Sequence, residues 1–282
     1  ALDLFEAHRR SNPGIAAKQK TALLCAISLG DRAMVEALNI GQAVSIQRLA
    51  SNFLADARHV EIKGRSKTYR FPFGASNLSI SLQHAMGRFY EQGALGLLHN
   101  LLSPGALVLD VGANVGNHTV YFAGEAGCHV IPFECNPNLV PRLRAAVETA
   151  GLDHLVDLQY LGSAISDAVG TSHFNFIRDD YSNVSSHETS STRPVPCLSL
   201  DSLPLPSCRL LKIDVDGGEL PVLKGAAQLL TRHRPIVAIE VMNQNITPVL
   251  ELFSGHGYDI FREDARPEVY SDFIFAPREM KL

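Results

Sequence analysis

The segment Leu107–Thr119, LVLDVGANVGNHT, constrains the fold of this 282-residue chain more than any other stretch. Leu107, Val108, Leu109 and Val111 read as a strand buried on both faces, the pattern of a parallel sheet. The strand runs into Gly112-Ala113-Asn114-Val115-Gly116, a turn of small residues, and Asn117 and Thr119 open the helix-like run Val120-Tyr121-Phe122-Ala123. A strand, a small-residue turn and a helix start are expected to bring backbone N–H groups close to a ligand. Asp110, at the strand's end, is placed to accept a hydrogen bond from an ammonium or hydroxyl. The next apolar run, His129-Val130-Ile131-Pro132-Phe133, ends in Glu134. An acid about 20 residues past such a turn is where folds of this kind hold a ribose.

The turn reads G-x-x-x-G rather than the G-x-G-x-x-G that seats a pyrophosphate, and Asp110 precedes it by two residues. A carboxylate there repels phosphate and suits a cationic ligand. S-adenosylmethionine has a ribose, an adenine, an amino-acid tail and a sulfonium but no phosphate, so it fits. NAD, and a glycine turn in an unrelated α/β domain, are the alternatives.

With 46% hydrophobic and 19% charged residues, the chain has enough apolar mass for a large core, one main domain plus an extension. A formal net charge of -4 gives no global pull toward nucleic acid or anionic lipid. The five cysteines (Cys25, Cys128, Cys135, Cys197, Cys208) lack CxxC spacing, which suggests a reducing compartment and neither a zinc site nor a disulfide framework. No run reaches the ~18 apolar residues of a membrane span. Ala22–Leu29 lacks the position and cleavage pattern of a signal peptide, so a cytoplasmic protein without membrane contact is expected.

Three regions follow from the pattern: a helical cap over 1–57, a hairpin and lead-in helix over 58–105, and an α/β core over 106–282. In the cap, Asp31 reads as an N-cap ahead of Met34, Val35 and Leu38, and Ala43–Ala55 repeats the apolar spacing. The cap either packs on the main domain or forms a lid shaping an acceptor pocket. His59–Phe73 reads as a hairpin turning at Lys63-Gly64-Arg65, and Arg88–Leu102 as an amphipathic helix. Core strands are expected near Leu107–Val111, His129–Phe133, Val156–Ala164, Leu210–Val215 and Ile236–Val241. Helices are expected near Asn117–Glu125, Leu139–Ala150, Leu220–His233 and Thr247–Ser254. Ser172–Ile177 and Val195–Leu200 interrupt the alternation as a strand pair around a polar loop, Asp179–Asn183. Tyr258–Phe261 and Tyr270–Phe275 read as a closing antiparallel pair.

The order DVGANVGNHTVYFA, VIPFECNP, GSAISDAVG, LLKIDVDGGELPVLKGA, PIVAIEV resembles the FkbM family of S-adenosylmethionine-dependent methyltransferases over about residues 86–276. The resemblance implies a class I methyltransferase, Rossmann-like fold. Its sheet has seven mostly parallel strands, the last antiparallel, and here carries an N-terminal helical extension. It implies that Asp110, Gly112, Ala113, Asn114 and Gly116, with Asn117 at the helix start, wrap the methionine moiety. It places Glu134 on the ribose hydroxyls with Cys135 and Asn136 beside it, Ser163 and Ala164 beside adenine, and Asp214 near the methionine tail and transferring methyl. Glu91, after Tyr90, matches a position near the cofactor tail and is read either as a partner of the α-ammonium or as an ordinary helix acid. The chain departs from the family at Asp216, where Glu is usual, which withdraws the carboxylate by roughly 1.5 Å.

Asp214, Asp216 and Glu240 are the candidate catalytic residues, as bases or acceptor-placing groups. Asp214 and Asp216 share a side if their strand continues. Glu219 is read either as a fourth member of this group or as a helix-start acid meeting the dipole. Glu240 has a packing alternative. No metal is expected, although Asp214, Asp216, Glu240 and Asn243 offer oxygen ligands that suit Mg²⁺. His118 and His256 read as packing or surface residues, and His187 as a loop residue that could face an acceptor.

The function that follows is O-methylation of a hydroxyl on a sugar or small natural product. The alternatives are a nucleic-acid methyltransferase, N- or C-methylation of a small molecule, and a cofactor-binding domain without turnover. Scattered Arg and Lys residues and the absence of an N-P-P-Y-type motif speak against nucleic acid. A homodimer is left open.

Overall fold

The computed structural model describes residues 59–72, 78–85, 87–178, 181–185, 192–266 and 270–280. The helical cap expected over 1–57, and His187, lie outside these residues. The chain divides into two units, Ala1–Gln92 and Gly93–Leu282.

In the first unit, β1 (His59–Lys63) and β2 (Thr68–Pro72) form the expected antiparallel hairpin, with Val60 facing Phe71 and Ile62 facing Tyr69. These four alternate residues are buried, the period-two pattern of a one-sided sheet. Phe89 packs edge-on against Tyr69 and Phe71, at 5.5 and 5.9 Å between ring centroids. Helix α1 (Leu78–Ala85) completes the described part.

The second unit opens with α2 (Gln92–Asn100), which begins at the boundary. Strand β3 (Leu107–Val111) is buried along its whole length. It leads through α3 (Asn117–Gly124) to β4 (His129–Phe133), which pairs parallel to it. Helix α4 (Val140–Ala150) follows. Strands β9 (Cys208–Ile213) and β10 (Ile236–Met242) continue the parallel sheet, and β11 (Tyr258–Arg266) and β12 (Tyr270–Pro277) close it antiparallel. The strand order is β11-β12-β10-β9-β3-β4. Leu109, Val111, Leu211, Ile213, Val237 and Ile239 share a core with α5 (Glu219–Lys224), α6 (Ala227–His233) and α7 (Ile246–Gly255), while α3 packs on β3 and β4.

Four expectations are corrected. Among the described residues the sheet has six strands, not seven. The expected strand Val156–Ala164 contributes to this sheet only a parallel bridge from Val156 to Val130. The Asp157 carboxylate accepts the Gln159 N–H at 3.0 Å, and this local turn takes the chain away from the sheet. The helix expected over Leu220–His233 is two helices. At Gly225 an added Cβ would lie 2.0 Å from the Ser166 carbonyl oxygen, and Asp201 caps the second helix by accepting the Gln228 and Leu229 N–H groups at 2.9 and 2.8 Å. Part of the polar loop Asp179–Asn183 is strand: β7 (Tyr181–Ser185) pairs with β6 (Gly170–Arg178), and β6 with β8 (Arg193–Leu198). With β5 (Ala164–Ile165) they form a second sheet, order β5-β8-β6-β7.

Candidate active site

Two strand ends meet at the start of the site. The Asp214 N–H donates to the Val111 carbonyl at 2.9 Å, and a Cβ on Gly112 would lie 1.7 Å from the Asp214 carbonyl oxygen. Gly112 has φ +82, so this close approach requires glycine twice over. The turn's backbone donors then serve the protein rather than a ligand. Gly112 and Ala113 both donate to the Phe133 carbonyl, at 2.9 and 3.0 Å, and Gly116 to the Ala113 carbonyl at 2.9 Å. Asn114 N–H donates to Glu134 Oε2 and Val115 N–H to Asn114 Oδ1, both at 2.8 Å. The expectation that this turn offers N–H groups to a ligand is therefore wrong for residues 112–116. A phosphate-binding nest needs such donors free, so the turn suits a ligand without phosphate.

Glu134 receives the turn from the other side. It is 8% exposed, and its second oxygen accepts the Asn136 N–H at 2.7 Å. Burial pushes its carboxyl up to about 7, against the pull of the Asn136 and Asn114 amides. Each oxygen has a further lone pair for a ligand hydroxyl.

A cavity of about 480 Å³ opens beside these groups. Gly112, Asn114, Glu134, Cys135, Ser163, Ala164, Asp214 and Asp216 line it. Asp110, Ala113, Gly116 and Asn117 are buried and outside the lining. Asp110 is fully buried, and the groups it meets are the protein's own: the Thr119 hydroxyl at 2.7 Å and the Lys212 ammonium at 3.7 Å. Burial also raises the Cys135 thiol far above its usual range, so it lines the cavity uncharged. Glu91 belongs to the first unit, in a turn before α2 with φ 55 rather than within the helix.

The second sheet supplies wall residues that sequence reading missed: Ser172 and Phe174 from β6 and Cys197 from β8. The signal was present, since the alternation in Ser172-His173-Phe174 puts the first and third residues on one face. Lys212 was also missed. A lysine inside the apolar run Leu210-Leu211-Lys212-Ile213 is 5% exposed, and its Nζ donates to Asp214 Oδ2 at 3.0 Å.

Oxygens of Asp214, Asp216 and Glu240 lie within 4.8 Å of one another. Strand alternation does not bring Asp214 and Asp216 together, because β9 stops at Ile213 and Asp216 takes a left-handed φ of 44. The three acids can accept the protons of a hydroxyl or ammonium, or hold a hard cation. Glu219 does other work. It is 1% exposed, accepts the Gly217 N–H at 2.7 Å and is met by the Asn245 amide, so it pins the turn before α5. His118 is buried against Phe122, and the half-buried His256 ring contacts the Leu252 carbonyl oxygen at 2.9 Å.

The family model described as "Methyltransferase FkbM domain" matches residues 110–260, from Asp110 to the first residues of β11. The chain belongs to the FkbM methyltransferase family. It is an S-adenosylmethionine-dependent methyltransferase. No curated protein matches its sequence. Among solved structures, this methyltransferase is similar to methyltransferase FkbM from Methylobacillus flagellatus KT, at 13% identity and TM-score 0.46, over 94% of this chain and 63% of that one. It is also similar to the M. jannaschii tRNA m1G37 methyltransferase, at 9% identity and TM-score 0.49, over 79% of this chain and 58% of that one. A third likeness is precorrin-6y C5,15-methyltransferase from Geobacter metallireducens GS-15, at 14% identity and TM-score 0.42, over 66% and 87%. Among the described residues no helix is long and apolar enough to cross a membrane.

Proposed function

We propose that this methyltransferase acts on a hydroxyl of a small acceptor such as a sugar or natural product. The observation that carries the reading is the meeting of Asp214, Asp216 and Glu240 oxygens within 4.8 Å, with two of these acids lining the cavity. Bound S-adenosylmethionine supplies an electrophilic methyl carbon on a sulfonium. The chain's residues suit it: Glu134 has lone pairs for two ribose hydroxyls, Ser163 and Ala164 border the adenine end, and the turn reserves no donors for phosphate. Asp214 faces the cationic end. Asp216 and Glu240 accept hydrogen bonds from the acceptor hydroxyl, orient it and take its proton as the new bond forms. Positioning supplies most of the acceleration, and proton removal commonly adds ~10²–10⁴-fold.

An amine acceptor is the second reading, because the same three acids suit an ammonium. A nucleic-acid acceptor would bring phosphates toward these carboxylates, where binding normally relies on basic residues. The test incubates the purified full chain with methyl-labelled S-adenosylmethionine and separate small-molecule and RNA fractions of a cell extract. Label in a base-stable small-molecule ether is expected. Label on an amine selects the second reading, and label confined to RNA overturns both.

A further inference from the structure

Lys212 stands behind the cavity wall. It is 5% exposed and does not line the cavity, whereas Asp214, two residues on, does. The register of β3 and β9 sets Lys212 beside Asp110, and parallel partners of this kind share one face of the sheet. Its ammonium lies 3.0 Å from Asp214 Oδ2 and 3.7 Å from Asp110 Oδ1. Asp110 Oδ2 in turn accepts the Thr119 hydroxyl at 2.7 Å. A buried ammonium is costly unless carboxylates surround it, and here two do. The Asp214 backbone is fixed as well, since its N–H donates to Val111 and its carbonyl closes on Gly112. The fold thus holds Asp214 from both ends and commits one of its oxygens to Lys212.

We propose that Lys212 is a positioning residue that limits how strongly the site prefers the sulfonium-bearing cofactor over its neutral thioether product. The proposal rests on the reading that the cofactor's cationic end lies at Asp214. Cofactor and product share the ribose, adenine, ammonium and carboxylate, and differ by one methyl and one positive charge. Asp214, Asp216 and Glu240 together would hold that charge tightly in the ground state. The charge disperses as the methyl leaves, so attraction felt only by the ground state slows transfer. A cation 3.0 Å from Asp214 offsets this attraction without touching the cofactor.

The experiment measures dissociation constants of the full chain for S-adenosylmethionine and S-adenosylhomocysteine by calorimetry and reads their ratio. Lys212→Gln keeps a donor toward Asp214 and removes the charge. Lys212→Arg keeps the charge. Asp110→Asn/Lys212→Gln removes both buried charges together, so the fold is not left with an uncompensated carboxylate if the single variant unfolds. In the double variant compared with Asp110→Asn alone, and in Lys212→Gln compared with the wild type where it folds, the ratio is expected to shift about fivefold or more toward S-adenosylmethionine, a modest share of a screened charge-charge interaction. Lys212→Arg is expected to stay within about twofold of the wild type, since its charge is unchanged. A purely structural lysine would weaken both ligands alike, and an unchanged ratio between Asp110→Asn and the folded double variant overturns the proposal. Asp214→Asn separates the two failures. If it weakens S-adenosylmethionine more than the product while the Lys212 variants leave the ratio alone, the cofactor reading stands and the proposal falls. If Asp214→Asn changes neither affinity, the cofactor reading falls and takes the proposal with it.

Discussion

The backbone N–H of Asn114 donates to Glu134 Oε2 at 2.8 Å across twenty residues of chain. This bond ties the turn after β3 to the end of β4. Asn114 sits at φ 51, a left-handed conformation that asparagine tolerates better than most residues. Its own Oδ1 accepts the Val115 N–H at 2.8 Å, which holds that conformation. The carboxylate read from sequence as a ribose ligand is therefore also a structural acceptor, held in place before any cofactor arrives.

Affinity for S-adenosylhomocysteine should depend on pH through Glu134. Burial raises its carboxyl to about 7, and a carboxylate accepts more hydroxyl protons than a carboxylic acid. Binding should therefore tighten between pH 6 and 8 and level off above (about one unit either side of that value). Glu134→Gln should flatten this dependence and weaken binding by ~1.5–3 kcal/mol, the range for hydrogen bonds to a charged group. Stability of the unliganded fold should run the other way. A raised folded-state value means the contribution is fully present below the unfolded value of 4.5 and is lost as pH rises through about 7. Calorimetry and denaturant melts across this range check both.

Substitution of three glycines should give three different results. Gly112→Ala meets the Asp214 carbonyl oxygen at 1.7 Å with φ +82, and Gly225→Ala meets the Ser166 carbonyl oxygen at 2.0 Å without a positive φ. Both obstacles are backbone, so each variant should lose about 3 kcal/mol or more, at the severe end for single substitutions. Gly112→Ala should also weaken cofactor binding, because it separates the two strand ends that line the cavity. Gly93→Ala meets nothing within 4 Å in α2 and should be neutral or stabilising by about 0.5 kcal/mol. Urea melts of the three variants rank them.

Glu219 should prove structural. Its carboxylate joins Gly217 in the turn to Asn245 before α7. Glu219→Ala should cost ~1–3 kcal/mol of stability by removing both hydrogen bonds to its buried carboxylate. A double-mutant cycle with Asn245→Ala should return ~0.5–3 kcal/mol of coupling, as expected for direct partners. A coupling near zero would assign the cost of Glu219→Ala to other contacts.

The parallel strands and the acids at their ends were legible because each depends on local patterning. Leu107–Val111 and His129–Phe133 match the observed strands, and Glu134 follows directly from the second. Long-range competition hid the rest. Where a strand was expected after Val156, the chain turns, and Asp157 accepts the Gln159 N–H. Gly225, at the break, packs its backbone against the Ser166 carbonyl, nearly sixty residues away, a contact no helical period can reveal. The turn's donors look available in sequence and are consumed by Phe133 and Glu134 in the fold. Lys212 was hidden for the opposite reason: read alone it is a surface residue type, and only the register against Asp110 shows what it pairs with.

The acid cluster should destabilise the protein that carries it. Oxygens of Asp214, Asp216 and Glu240 lie within 4.8 Å of one another, and the Lys212 ammonium meets Asp214 Oδ2 at 3.0 Å. Asp216 carries in addition a left-handed φ of 44. Like charges this close repel, and functional groups of this kind commonly cost stability that neutral variants recover. Asp216→Asn keeps the shape, tolerates the left-handed backbone and removes one charge. It should raise stability by about 0.5–1 kcal/mol, shifting Tm by a few degrees or less in a chain of this size, and should lower methyl transfer to the labelled acceptor. Millimolar Mg²⁺ should leave the wild-type Tm unchanged if the acids serve the acceptor. A Tm that rises with Mg²⁺ in the wild type and not in Asp216→Asn would instead make the three carboxylates ligands of a divalent cation. Lower stability in Asp216→Asn would show that its carboxylate is paired within the fold rather than held against its neighbours for the reaction.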